Sequence, residues 1–184
     1  MSEIASRGQL RMAFVRVALI AVPLVLFLGL ASAVLSGSGD DNAWYAHLIK
    51  PGFTPPGWVF ALVWTILYVL MGFAITLIVT ARGAPGRIAA IALFAVQLVV
   101  NLAWSPLFFG AHRVGAAFGV MLLLLLLAIA AAWAMGRVRQ GALWLMLPYL
   151  AWLCFAALLF HAVWRLNPHA ETLAPGGSGT QIML

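Results

Sequence analysis

Charge is what this sequence has least of. Of its 184 residues only 8% are charged, against 65% hydrophobic, and the mean hydropathy is +1.09. Soluble domains carry roughly 25% charged residues, so there is too little charge here to coat a water-facing surface. The class that remains is a polytopic membrane protein. Acid is scarcer still. Glu3, Asp40, Asp41 and Glu171 are the full set, and none lies in an apolar run. Ion- or proton-coupled transport normally needs an ionisable group within the membrane, and only His161, near the end of the last apolar run, qualifies. It reads as a hydrogen-bonded structural residue, with a pocket anchor or a haem-iron ligand as alternatives. There is no carboxylate pair, no Ser/His/Asp set and no metal-ligand spacing. Conventional hydrolysis and metal chemistry are therefore not expected, and no catalytic residue or metal ligand is assigned. The one cysteine, Cys154, can form no internal disulfide and reads as a small buried apolar residue. Clustered basic charge is also missing. The net charge of +6 is spread singly or in pairs at the ends of apolar runs, which marks topology rather than nucleic-acid binding.

What is present is five apolar stretches, at about 15–35, 58–80, 88–109, 114–135 and 142–164. Each has the roughly 20 residues that cross a bilayer as a helix. Backbone polar groups cannot stay unpaired in lipid, so the spans are helices. They predict an all-α integral membrane protein, a five-helix bundle in one domain over residues 15–167. An N-terminal extension (1–14) precedes it, and a disordered tail (168–184) containing "APGGSGTQIML" follows. The connections "ARGAPGR", "GAHR" and "GRVRQG" are short, which makes neighbouring spans antiparallel. Arg7, Arg11, Arg16, Arg82, Arg87, Arg137 and Arg139 fall on one side, and Lys50, Arg113 and Arg165 on the other. This bias places the N-terminus inside. Span one, with "ASA" at 31–33, also resembles a signal peptide cleaved after Ala33, although the run exceeds a typical signal core.

The connection after span one is of another kind. "WYAHLIKPGFTPPGWVF" holds more proline, glycine and aromatic residues than a plain loop requires. Pro51, Pro55 and Pro56 fix φ and lower the entropy cost of ordering the segment. With Phe53 and Trp58 they read as a rigid lid over the outer end of the bundle, the alternative being a loop packed on headgroups. Within the spans, Trp64, Tyr68 and Met71 share one helical face. Gln97, Asn101, Trp104 and Phe108 share another, and Tyr149, Trp152 and Ala156 a third. Gln97 and Asn101 can act as hydrogen-bonding glue between helices. Trp58, Trp144 and Trp164 lie near span ends and suit an interfacial belt. Trp64, Trp104 and Trp152 lie deeper, and an indole N–H there needs a partner. Several indoles with one or two amides describe a flat apolar site with a few polar anchors. Span four, "VMLLLLLLAIAAAWAM", has no polar interior group and reads as lipid-facing scaffold. The small residues Gly86, Ala89, Ala92 and Ala95 would let two protomers approach closely.

The stretches "WYAHLIKPGFTPPGWVFALVWTILYVLMG", "NLAWSPLFFGAHRVG" and "LPYLAWLCFAALLF" with "VWRLN" resemble the tryptophan-rich sensory protein or translocator protein family, also called the peripheral benzodiazepine receptor family. The resemblance covers roughly residues 44–167; span one matches by position and hydropathy alone. It implies a five-helix bundle, usually a homodimer, whose pocket is closed by the loop between the first two spans. It implies protoporphyrin IX, haem, sterols or isoquinoline and benzodiazepine drugs as ligands, with no required cofactor. Carried over position by position, the ligand-binding residues are Tyr45, Trp64, Tyr68, Asn101, Trp104, Trp152 and Ala156. Trp64 and Trp152 match tryptophans linked to light-dependent porphyrin breakdown. Two functions follow as expectations: a tetrapyrrole receptor, carrier or sensor, and an enzyme-like photochemical breakdown of porphyrin that protects against oxidative stress. Where the family often has Leu-Asn-Tyr or Leu-Asn-Phe, this chain has Leu159, Phe160 and His161. That argues against sterol recognition through the motif ending at Arg165, and Phe53 stands where some members have tryptophan. No Arg- and Ser-rich transit peptide is visible, which favours a bacterial envelope.

Overall fold

The computed structural model describes residues 7–172. Residues 1–6 of the expected extension and 173–184 of the expected tail lie outside the described residues. Six helices follow in order: α1 (Arg7–Leu35), the single turn α2 (Ala43–Ala46), α3 (Gly57–Thr80), α4 (Arg87–Ser105), α5 (Val114–Val138) and α6 (Gln140–Leu166). Among the described residues there is no strand, and α1 and α3 to α6 are the five helices long and apolar enough to cross a membrane. The helices overrun the predicted spans because hydropathy marks only the lipid-embedded part. The stretch "RGQLRMAF" ahead of residue 15 is mostly good helix formers and continues α1 back to Arg7.

α1 packs along α3, α5 lies between α4 and α6, and α6 returns against α3. Glycine sets the α1–α3 distance. A methyl group on Gly72 would lie 2.6 Å from the Val22 Cα, and one on Gly29 would overlap the Tyr68 ring. α5 departs from the scaffold reading. Ala117, Met121, Leu124, Ala128, Ala132 and Met135 are all buried. They recur at helical spacing on one face, so α5 is a central helix whose interior stripe is apolar rather than absent. Cys154 departs in the other direction and is exposed.

α4 does not stop at Ser105 but widens into a π-helical turn, Pro106–Gly110. Pro106 has no N–H to give the Leu102 carbonyl. The Ser32 hydroxyl of α1 donates to that carbonyl instead, at 2.6 Å. Ser36 and Ser38 both meet the Ser105 hydroxyl. A seam of serines therefore ties the end of α1 to the break in α4. The chain then turns at His112, whose φ of 56° is the one positive value on a non-glycine residue among the described residues.

The loop between α1 and α3 is ordered by specific bonds. Asp40 accepts the Gly57 N–H at the start of α3 (3.2 Å), a carboxylate where the helix dipole favours one. Asn42 caps α2 through the Tyr45 N–H. Asn167, just past α6, accepts the Ile49 N–H at 2.8 Å and donates to the Ile49 carbonyl at 2.9 Å. The Trp44 indole donates to the Ala170 carbonyl at 2.9 Å. Residues 168–172 are therefore held in place, unlike the disordered tail expected from residue 168. Ala170–Thr172 form a 3-10 turn, and Glu171 accepts the Gly115 N–H at the start of α5.

Candidate functional site

Three helices meet at mid-bundle through polar side chains. Tyr68 of α3 donates its hydroxyl proton to Asn101 Oδ1 of α4 at 3.0 Å. Asn101 Nδ2 donates to the Tyr149 hydroxyl of α6 at 3.2 Å. Tyr149 in turn donates to Gln97 Oε1 at 3.0 Å. The chain of donors runs in one direction and ends at Gln97 Nε2, which is buried and has no acceptor. Trp152 Nε1 is the second buried donor without a partner among the described residues. An unpaired buried polar group costs about 1–3 kcal/mol, so these two N–H groups are a local expense that a ligand acceptor would relieve.

Aromatic rings surround this chain. Trp64 lies 5.3 Å from the Tyr68 ring and 6.2 Å from Tyr149, distances typical of favourable ring pairs. Trp152 meets Phe60 at 5.5 Å and Phe155 at 5.2 Å. Beside them, between α3 and α6, runs an apolar groove of about 430 Å³ lined by Val63, Ile66, Leu67, Pro148, Trp152 and Phe155. Volumes of this order lie in the range of small-molecule sites, about 300–1,000 Å³.

Of the residues expected to form the pocket, Trp64, Tyr68 and Asn101 come together, and Trp152 lies across from them on α6. Trp104 packs against the main core and also joins a second cluster under the loop. Its indole donates to the Ala117 carbonyl at 3.1 Å, and its ring stacks on Phe108 at 5.3 Å. Tyr45 lies in the same cluster, against Phe108 and Phe109, with the Lys50 ammonium 4.1 Å over its ring. Burial, and after it the negative charge of Asp40, pushes the Tyr45 phenol above its ordinary range. Ala156 is buried in the main core. The loop divides in two. Trp44 and Leu48 are buried on the bundle, whereas Phe53 (55% exposed) and Trp58 (68% exposed) point outward. Phe53 and Trp58, read from the sequence as part of a lid, therefore face away from the bundle, and this proline-rich half is tied by the Asp40–Gly57 bond rather than by a two-bond clamp such as Asn167 makes. Pro51 and Pro55 are half-buried and Pro56 is exposed there, and Phe53 touches only the rim residue Phe155 among aromatic rings. His161 is exposed against Phe118 and Trp164 and takes no part in the interior site.

Tyr149 and Gln97 are the members that the carried-over set omits. Their signal was the shared helical face: Gln97 lies one turn from Asn101, and Tyr149 one turn from Trp152.

Known proteins bear on this arrangement directly. The family model described as TspO/MBR matches residues 19–165. The chain is 44% identical to the translocator protein of Ovis aries over 70% of this chain and 78% of that protein. It is 39% identical to the tryptophan-rich sensory protein of Cereibacter sphaeroides, over 68% and 78%. With the tryptophan-rich protein TspO of Chlorobaculum tepidum it shares 36% identity over 79% of this chain and 96% of that protein. A five-span bundle, its tryptophan-lined interior and these matches together establish that the chain belongs to the TspO/MBR family.

Proposed function

We propose that this multi-pass membrane protein is a receptor and carrier for tetrapyrroles such as protoporphyrin IX or haem, acting in their transport or sensing. The observation that carries this reading is the pair of unpartnered buried donors, Gln97 Nε2 and Trp152 Nε1, beside the rings of Trp64, Tyr68 and Tyr149. A planar macrocycle supplies ring faces for the aromatics. Its carboxylates supply acceptors for the two N–H groups. Sterols and isoquinoline- or benzodiazepine-type ligands share the apolar surface but offer fewer acceptors, and rank below tetrapyrroles on that ground. The half of the loop that is not clamped by Asn167 is the segment that would move to admit a ligand. The exposed small residues Ala89, Ala92 and Ala95 of α4 support a homodimer through that face. The distribution of arginine supports an N-terminus inside a bacterial envelope. The test is co-elution of protoporphyrin IX with purified protein. Saturable retention, weakened by Trp152→Ala, supports the reading; an unsaturable or mutation-insensitive signal argues against it.

A second reading is favoured by one feature. Trp64 contacts both Tyr68 and Tyr149, whose hydroxyls belong to one hydrogen-bonded chain. Electron transfer from a photoexcited porphyrin to dioxygen would leave a porphyrin radical cation and superoxide, whose recombination oxidises the ring and begins its breakdown; Trp64 and the tyrosine chain would hold the oxidising equivalent between the two steps. Loss of the Soret band would then require light, oxygen and Trp64. Equal loss with Trp64→Phe removes this reading.

A further inference from the structure

We infer that the groove between α5 and α6 at the arginine-bearing end of the bundle is a binding site for an anionic phospholipid. The groove has a volume of about 420 Å³ and is not uniform along its length. Ile129 and Leu150 line its deep part, and Trp133, Arg137, Gln140 and Leu143 its mouth. At 1.5 Å per residue, 129 to 137 on α5 and 140 to 150 on α6 span about 12–15 Å. That is about half of the roughly 30 Å hydrocarbon thickness of a bilayer, the depth of one leaflet. Gly136 lets the two helices close on each other at the mouth, since a methyl group there would lie 3.1 Å from Leu143 Cβ. The shape is that of an acyl chain ending at a headgroup.

Charge selects the headgroup. The arginines at this end are not equivalent. Arg87 is used by the fold: its guanidinium donates to the Ile78 and Val79 carbonyls at the end of α3 (3.2 and 2.9 Å). Arg137 is exposed, and the contact it makes is with the Trp133 ring, 5.4 Å from guanidinium carbon to centroid. Arg139, the residue before α6, is also exposed. Of the acidic residues among those described, Asp40 and Glu171 cap helices at the opposite end, and Asp41 adjoins Asp40 in the same loop. No carboxylate described at the arginine end competes for Arg137 or Arg139. Trp133 is 64% exposed and Trp144 60%; indoles at this height suit the headgroup level. The first-turn N–H groups of α6 add partial positive charge at the mouth. Basic pockets between membrane helices recognise phosphate-bearing lipids on these grounds. A zwitterionic lipid would bring an ammonium group next to two uncompensated guanidiniums.

Native mass spectrometry of the full chain tests this, with phosphatidylglycerol and phosphatidylcholine competing in the same detergent. Phosphatidylglycerol should be retained preferentially, at low and saturable number. Arg137→Gln and Arg139→Gln should each lower its affinity roughly fivefold, the effect of one arginine near a membrane surface. Arg82→Gln removes an exposed charge from the neighbouring connection, outside the groove, and should change affinity by less than about twofold. Glycerophosphoglycerol, the headgroup without chains, should not compete. Equal retention of the two lipids overturns the inference. Equal loss with Arg82→Gln also overturns it, by revealing a diffuse basic surface, and competition by the chain-free headgroup would reveal a simple phosphate site. Both side chains changed are exposed, and unchanged melting of the variants in phosphatidylcholine confirms that they fold.

Discussion

Tyr149→Phe is the sharpest probe of the interior. The substitution keeps the ring, and with it the 6.2 Å contact to Trp64, and deletes one oxygen. That oxygen accepts from Asn101 Nδ2 and donates to Gln97 Oε1. Two bonds are lost, and the Gln97 amide, already unpaired at Nε2, becomes unpaired at both ends. Interhelical hydrogen bonds in membranes average about 0.6 kcal/mol and reach about 1.7, while an orphaned buried group costs about 1–3 kcal/mol. The expected loss is therefore about 1.5–3 kcal/mol. Tyr68→Phe removes a single bond, to Asn101 Oδ1, and should cost about half as much. Both substitutions act through Asn101, so the double variant should fall short of the sum. Reversible unfolding in bicelles measures all three. The reasoning is refuted if Tyr149→Phe is neutral, if Tyr68→Phe costs more, or if the two effects add exactly as independent sites do.

Two further outcomes follow from close contacts and clamps. Gly29→Ala places a methyl group in the Tyr68 ring, so Tyr68 must move and its bond to Asn101 breaks; a loss of about 1–3 kcal/mol is expected, and a neutral result in the same unfolding assay would contradict the α1–α3 packing. Asn167→Ala removes both side-chain bonds to Ile49. Amide exchange across residues 43–50 should quicken roughly tenfold or more, at about 1 kcal/mol per lost bond, while the α4–α5 core stays protected; unchanged exchange would mean that Asn167 is not what holds the loop.

The five helices were legible in the sequence because lipid obliges the polar backbone of a long apolar run to pair within the run, and the shared faces on α3, α4 and α6 followed from spacing alone. Three features were not. The burial of α5 on one face left no polar mark, because its stripe of Ala, Met and Leu looks the same to hydropathy whether it meets lipid or protein. The anchoring of residues 168–172 runs through the carbonyl of Ala170, and a backbone acceptor has no sequence signature. The division of the loop depends on Asn167, distant from Ile49 in sequence, so the local run of prolines and aromatics suggested one rigid unit. Gln97 was visible as a polar residue on the right face, but its unpaired amide nitrogen emerged only once Tyr149 was seen to take its oxygen.

The most direct measurement is titration of protoporphyrin IX into the protein in nanodiscs in the dark, following tryptophan fluorescence, for the wild type, Trp152→Phe and Trp144→Phe. Trp152→Phe keeps an aromatic ring and removes an unpartnered N–H; Trp144 is 60% exposed and lies at the far end of α6. The account predicts saturable quenching, an affinity lowered roughly 2- to 10-fold by Trp152→Phe, the equivalent of one hydrogen bond, and no change with Trp144→Phe. Unsaturable quenching, or equal affinities for all three proteins, would contradict it.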